Sequence, residues 1–130
     1  MRILIVEDDS DGGEILRELF ESEGFDVDWV RAGERAIELA GEEAFDAALV
    51  DLSLPDVDGT EVLLALRRTL PHAALALVTG FSPGALDEAA QRIADRIFVK
   101  PVDPEVLLAF VRDATHAGSA RAVDAHSHPA

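Results

Sequence analysis

Short apolar runs alternate with helical patterns along the whole chain, and this alternation restricts the fold more than any other feature. Each run is rich in aliphatic residues and too short for a helix, which is typical of strands buried on both faces of a sheet. The predicted strands are Ile3–Val6, Val27–Val30, Ala47–Val50, Ala74–Val78 and Ile97–Val99. The predicted helices cover about residues 10–24, 33–43, 58–66, 84–93 and 104–116. This order predicts an α/β fold, with a parallel sheet, right-handed crossovers and helices on both faces.

Cap residues support several of the predicted helix boundaries. Asp58 begins a capping-box pattern, and Asp103 stands before a proline, which is typical of a helix start. By contrast, the pair Gly12-Gly13 in the first turn of the first helix costs up to ~2 kcal/mol of helix propensity. Two interpretations of this pair stay open: a soft spot that admits a partner, and neutral drift.

The length of 130 residues predicts one domain. The strand and helix patterns end near residue 116, so we expect the folded domain to cover residues 1–116. Residues 117–130 are small and polar without apolar periodicity, which predicts a flexible C-terminal tail.

Composition excludes several classes of function. The 26 acidic and 11 basic residues give a net charge of −15, which repels a phosphate backbone, so direct nucleic-acid binding is not expected. The absence of cysteine excludes disulfides, zinc–thiolate sites and thiol nucleophiles. Ala73–Val78 is the longest apolar run and is too short to cross a bilayer, and acidic residues interrupt any secretory signal. We therefore predict no membrane insertion and a cytoplasmic location.

Polar side chains follow four of the five predicted strands. Ligands of open parallel sheets bind outside the carboxyl ends of the strands, so these positions are candidates for a site. The second strand ends in Val30-Arg31 and contributes nothing comparable. The candidates after the other strands are Glu7, Asp8, Asp51, Thr79 and Lys100.

The chemistry of these candidates points to a metal ion and an anion. Three carboxylates that meet at one edge repel one another, and a divalent cation such as Mg²⁺ removes that conflict. Lys100 supplies a positive charge for a further anion, and the Thr79 hydroxyl can donate to one of its oxygens. A site of this kind suits phosphoryl transfer onto a carboxylate.

Five sequence motifs resemble the receiver domain of bacterial response regulators over about residues 2–116. Each motif alone is weak, but all five in order and at similar intervals are specific. The resemblance implies a flavodoxin-like (βα)5 three-layer sandwich with a five-stranded sheet in the order 2-1-3-4-5. The motifs are residues 3–9 (ILIVEDD), 49–55 (LVDLSLP), 56–59 (DVDG), 78–80 (VTG) and 99–101 (VKP).

The resemblance also implies a role for each candidate. Asp51 corresponds to the phosphoacceptor, and Lys100 and Thr79 correspond to the residues that contact the phosphoryl group. Pro101 corresponds to a proline that follows a cis bond. One departure is visible: the family often has an aromatic residue where this chain has Ile97, while Phe98 comes one residue later, which speaks against a tyrosine-type switch coupled to Thr79. The implied Mg²⁺ ligands are Glu7, Asp8, Asp51 and the backbone carbonyl of Ser53.

We therefore expect a stand-alone, non-enzymatic signalling domain that accepts a phosphoryl group from a sensor histidine kinase or a histidine phosphotransfer protein. Its output would pass to an unknown protein, or to a homodimer formed through the face of helix 4, strand 5 and helix 5. A degenerate receiver that binds partners without phosphorylation stays open as the alternative. A flavin carrier is disfavoured because Glu7, Asp8 and Asp9 would repel a flavin phosphate after the first strand.

Overall fold

The computed structural model describes residues 1–51, 59–80 and 88–114. The predicted cap Asp58 and the predicted tail at 117–130 lie outside these residues. The strands are β1 Arg2–Val6, β2 Asp26–Val30, β3 Ala47–Asp51, β4 Ala74–Thr79 and β5 Arg96–Val99. The helices are α1 Ser10–Ser22, α2 Gly33–Glu42, α3 Gly59–Thr69, α4 Glu88–Ile93 and α5 at 104–114.

All five strands are parallel, in the order β2-β1-β3-β4-β5. The predicted fold class and strand order are therefore confirmed. Two apolar layers cover the sheet: one faces α2, α3 and α4, and the other faces α1 and α5. The continuous apolar runs of β1, β3 and β4 follow from this arrangement, because each central strand is buried on both faces.

The strand register aligns the carboxyl ends of the strands at one edge of the sheet. Val6 of β1 pairs with Val50 of β3, and Asp51 then pairs with Val78 of β4. Thr79 of β4 pairs with Val99 of β5. The residues that follow the strands therefore meet at a single edge.

Arg67 of α3 links several segments at the opposite, amino-terminal edge of the sheet. Its guanidinium donates to the carbonyls of Pro71 at 3.2 Å, Ala73 at 2.9 Å and Ile93 at 3.3 Å. It also pairs with the Asp95 carboxylate at 3.0 Å. This side chain therefore joins α3 to the ends of the segments before β4 and β5. None of the helices in the described part of the chain has the length and apolarity needed to span a bilayer.

Gly13 has a packing role that the sequence did not reveal. The indole of Trp29 occupies the space beside its Cα, and a Cβ at Gly13 would lie 2.1 Å from the ring. Gly12 is also restricted, since a Cβ there would lie 3.0 Å from Asp9 Oδ2. The close approach of α1 to β2 therefore accounts for Gly13 in physical terms, in place of a soft spot or drift.

We predict that Gly13→Ala lowers the free energy of unfolding by about 1–3 kcal/mol, because the new methyl group displaces the Trp29 ring. Helix propensity alone would predict the opposite sign, a gain of up to ~1 kcal/mol. Urea denaturation of the full chain measures the difference. The matched control is Gly41→Ala in α2, where a Cβ would meet nothing within 4 Å. We expect that control to gain about 0.5–1 kcal/mol; an equal gain at both positions would contradict the packing role.

Candidate functional site

The carboxyl edge of the sheet brings an acidic pair and a lysine together. Glu7 follows β1, Asp51 is the last residue of β3, and Lys100 follows β5. The Lys100 Nζ lies 2.9 Å from Asp51 Oδ2 and 3.8 Å from Glu7 Oε1. Three of the five predicted site residues, from the ends of three strands, therefore form one charged cluster.

Asp51 and Thr79 are the buried polar or charged residues within the described ranges. Asp51 is 5% exposed and Thr79 is fully buried. Burial of an ionised carboxylate is costly unless it has a partner of opposite charge, and Lys100 is such a partner. Most of the Asp51 side chain is thus removed from water while the Lys100 side chain stays 41% exposed.

The pKa of the Glu7 carboxyl group is strongly raised at this edge. Burial raises the pKa of its carboxyl group, and a hydrogen bond to Asp51 and the charge of Asp51 raise it further, to about 8. The positive charge of Lys100 opposes this rise. At neutral pH, Glu7 therefore keeps a proton that it shares with Asp51.

Lys100 stays charged in this environment. Burial by itself lowers its pKa, but the hydrogen bond and charge of Asp51, together with the charges of Glu7 and Asp9, raise the pKa above the usual lysine value. The cluster thus combines a protonated carboxyl, a carboxylate and an ammonium group.

The residues next to Glu7 have different positions. The Asp8 side chain is exposed. Asp9 caps α1, because its Oδ2 accepts a hydrogen bond from the Gly12 amide at 3.0 Å. Ser53, whose backbone carbonyl was predicted to bind a metal, lies outside the described residues.

The donors at this edge fit a divalent cation. Two carboxyl groups in contact are hard oxygen ligands, and a cation would remove the repulsion that raises the pKa of Glu7. In residues 1–51, 59–80 and 88–114, no group of three or more His, Cys, Asp or Glu side chains is arranged to hold a metal ion. The structure therefore brings Glu7 and Asp51 together, while metal binding by Glu7, Asp8, Asp51 and Ser53 stays a prediction.

The segment around Lys100 has the backbone form that the resemblance implied. The Lys100–Pro101 bond is cis, and the Lys100 amide donates to the Thr79 carbonyl at 2.7 Å. Phe98 is buried against α5, with its ring edge-on to Phe110 at a centroid distance of 5.7 Å. Ile97 is half-buried and packs on the opposite face of the sheet, so Phe98 does not take its place.

A cavity of about 510 Å³ opens beside the acidic pair. Glu7, Asp51 and Lys100 form its polar end. The rest of the wall is mainly apolar and comes from the start of α1, the end of β4 and the segment between β5 and α5, with Ile15, Leu16, Val78, Val102 and Leu107 among its residues. A reactant could therefore reach the acidic pair from this side.

Two residues at the end of β2 were missed by the sequence analysis. Trp29 Nε1 donates to the backbone carbonyl of Glu7 at 2.9 Å, and Arg31 Nη2 donates to that of Asp8 at 3.0 Å. The expectation that the second strand contributes nothing comparable at this edge is therefore corrected. The position of Arg31 directly after a strand was the one available signal, since parallel strands end at the same edge.

The match to a family model identifies the family to which the chain belongs. A family model described as the response regulator receiver domain matches residues 3–112. The chain belongs to this family. Receiver domains are signalling modules of two-component systems, and the motifs noted in the sequence lie inside the matched range.

Similar proteins agree with this assignment. The transcriptional activator protein IrlR of Burkholderia pseudomallei is 38% identical over 121 residues, which cover 93% of this chain and 53% of IrlR. The chain spans about half the length of the first curated relatives that it matches.

Two solved structures that share the fold of this chain contain bound ligands. The response regulator TrrA of Thermotoga maritima, in complex with Mg²⁺-BeF, has a TM-score of 0.77 at 28% identity and covers 87% of this chain and 97% of TrrA. A response regulator of Burkholderia pseudomallei with a phosphorylated aspartic acid, a calcium ion and citrate has a TM-score of 0.79 at 26% identity, covering 98% and 75% of the two chains.

We predict that the stability of this receiver domain, in metal-free buffer, decreases as the pH rises from about 4.5 to about 8. The folded state keeps the Glu7 proton up to about pH 8, whereas the unfolded chain releases it near its ordinary pKa of 4.5. Folding therefore takes up a proton in this window, and the stabilisation is complete below it and lost above it. Urea denaturation across the pH range, with a chelator present, measures the slope.

Glu7→Gln should reduce this slope, because the amide cannot titrate. The control is Glu42→Gln at the exposed end of α2, which removes the same charge far from Asp51. If Glu7→Gln and wild type show the same pH dependence, the raised pKa of Glu7 is refuted.

Proposed function

We propose that Asp51 accepts a phosphoryl group from the phosphohistidine of a sensor histidine kinase or a histidine phosphotransfer protein, in a reaction that requires Mg²⁺. The single observation that carries this proposal is the buried Asp51 carboxylate held at 2.9 Å by Lys100, beside the carboxyl group of Glu7. A paired, desolvated carboxylate next to a second acid and an apolar cavity suits attack on phosphorus more than a structural role.

The transfer is a substitution at phosphorus. One Asp51 carboxylate oxygen forms the new O–P bond while the P–N bond of the phosphohistidine breaks. The bonding electron pair stays on the imidazole nitrogen: a ring whose other nitrogen already carries a proton leaves as neutral imidazole, and a ring without that proton takes one from water. The protein supplies position and charge balance for this step.

Glu7, Asp8, Asp51 and the backbone carbonyl of Ser53 would hold the Mg²⁺ ion. When bound, this ion neutralises charge on the transferring phosphoryl group. The carboxyl group of Glu7 must lose its proton to serve as a ligand, so metal binding and proton release are coupled at this site.

Lys100 and Thr79 would respond to the new group. Lys100 balances the Asp51 carboxylate before transfer, and the phosphoryl group adds about two negative charges afterwards. Lys100 would then pair with a phosphoryl oxygen, and the Thr79 hydroxyl would donate to another. This covalent change would shift a two-state equilibrium of the domain.

We predict that the wild-type 130-residue chain gains the mass of one phosphoryl group when incubated with a small acyl phosphate and Mg²⁺. Asp51→Asn should gain none, because the amide oxygen is a poor nucleophile, and a chelator should prevent the gain in wild type. Asp26→Asn is the matched control, since Asp26 is an exposed carboxylate at the amino end of β2. Intact-mass spectrometry gives the result.

The alternative is a degenerate receiver that binds partners without phosphorylation. It would be favoured if wild type gained no mass with small donors and with a panel of histidine kinases. Retention of the mass gain in Asp51→Asn would instead exclude Asp51 as the acceptor. The stand-alone character, the output partner and the cytoplasmic location stay predictions from the sequence.

We propose that the face of α4, β5 and α5 carries the output, including homodimer formation. In the described residues, Val99 of β5 is 41% exposed and Val106 of α5 is 47% exposed, so both elements present a large apolar side chain to a partner. Burial of such residues between two copies would be favourable.

We expect the phosphorylated protein to sediment as a dimer and Val106→Glu to sediment as a monomer, because a buried carboxylate would oppose the contact. Gly41→Glu on α2 is the control, since it adds the same charge at an exposed position outside this face, where a Cβ meets nothing within 4 Å. Intact mass confirms that both variants are phosphorylated before sedimentation. A phosphorylated wild type that stays monomeric would argue against the dimer.

A further inference from the structure

Two side chains from the end of β2 donate hydrogen bonds to the backbone carbonyls of Glu7 and Asp8, which are consecutive in the sequence. Trp29 Nε1 lies 2.9 Å from the Glu7 carbonyl oxygen, and Arg31 Nη2 lies 3.0 Å from the Asp8 carbonyl oxygen. The Glu7 amide completes the link, because it donates to the Val30 carbonyl at 3.1 Å. The backbone on both sides of the Glu7 side chain is thus fixed from one neighbouring strand.

The Trp29 ring is itself held from several directions. Its backbone lies within the β1–β2 ladder, where Trp29 pairs with Ile5. The ring packs against the Cα of Gly13 in α1, at a distance that leaves no room for a Cβ. The guanidinium of Arg17 lies 5.5 Å from the ring centroid. A side chain with this many contacts can transmit its position to the group it binds.

The position of the Glu7 backbone determines where the Glu7 carboxyl group lies relative to Asp51. The Glu7 Oε1 atom is confined between the start of α1, where a Gly12 Cβ would lie 3.1 Å away, and the Lys100 Nζ at 3.8 Å. A small rotation of the backbone would move the carboxyl group away from Asp51. Groups that orient a metal ligand in this way commonly change metal affinity by about 10–100-fold when they are removed.

We propose that Trp29 and Arg31 are positioning residues for divalent cation binding, with Trp29 orienting Glu7 and Arg31 orienting Asp8. The inference rests on the proposed function, in which Glu7 and Asp8 hold the ion. It assigns β2, whose own carboxylates take no part in the site, a defined role in it.

The two residues differ in how cleanly they can be tested. Arg31 is positively charged, so its removal both frees the Asp8 carbonyl and lessens repulsion of the cation. These effects have opposite signs. Trp29→Phe changes no charge, keeps an aromatic ring beside Gly13 and removes the indole N–H donor, so it isolates the hydrogen bond to Glu7.

The experiment is calorimetric titration of the full chain with Mg²⁺, for wild type and Trp29→Phe. We expect the Kd for Mg²⁺ to rise about threefold to tenfold in Trp29→Phe. This effect is small for the loss of a group that orients a metal ligand, because the lost hydrogen bond reaches the backbone carbonyl of Glu7 and not its carboxyl group. Arg67→Gln is the control: it removes an arginine that donates to carbonyls at the opposite edge of the sheet, so it should lower stability and leave the Kd unchanged.

A second measurement uses wild type alone and does not depend on how the variants fold. The chain has one tryptophan, so its indole N–H gives a single resonance in a nitrogen–proton correlation spectrum. We expect this resonance to shift during the Mg²⁺ titration with the Kd found by calorimetry, because the indole N–H donates to the carbonyl of Glu7, the same residue whose carboxyl group would hold the ion.

The outcomes separate this inference from the function on which it rests. If wild type binds no Mg²⁺, both fail. If wild type binds Mg²⁺ while Trp29→Phe has the same Kd and the indole resonance does not move, the positioning role is overturned and the proposed function stands. An equal loss of affinity in Arg67→Gln would reduce the effect to general stability and would also overturn it.

Discussion

The ion pair between Lys100 and Asp51 is the contact on which the arrangement of the site depends. It joins the ends of β5 and β3 across β4, so it forms only when the crossovers place these strands in the observed order. Asp51 is almost completely buried, and a buried carboxylate without a partner would favour protonation or local opening. Lys100 therefore supplies the compensating charge for Asp51 at this edge of the sheet.

Glu7 places a second acidic group beside Asp51, and the single charge of Lys100 does not balance both groups. Its carboxyl group contacts Asp51 and retains a proton at neutral pH because burial and the neighbouring charge disfavour ionisation. The proton thereby removes the repulsion between the two carboxyl groups in the absence of a cation. The same repulsion that weakens the empty arrangement at high pH would favour a bound divalent ion.

The backbone of Glu7 and Asp8 is held by residues that lie outside the charged cluster. The Trp29 indole binds the Glu7 carbonyl, and it reaches that position because Gly13 has no side chain. Arg31 holds the next carbonyl in the same way. Gly13, which weakens α1 by propensity, thus allows the close approach of the strand whose Trp29 binds the Glu7 carbonyl.

The sequence by itself determined the strands, the helices and the residues at the carboxyl ends of the strands. Continuous runs such as Ile3–Val6 mark a strand buried on both faces, and Asp103 caps α5 through the Glu105 amide as expected. The order of the strands came from the resemblance, since local patterns do not specify which strands pair. Only the tertiary structure decided that Asp8 is exposed and that Glu7 holds a proton. It also decided that Trp29 and Arg31 bind the backbone carbonyls of Glu7 and Asp8. These properties depend on burial and on contacts between distant segments, and no local pattern of residues encodes them.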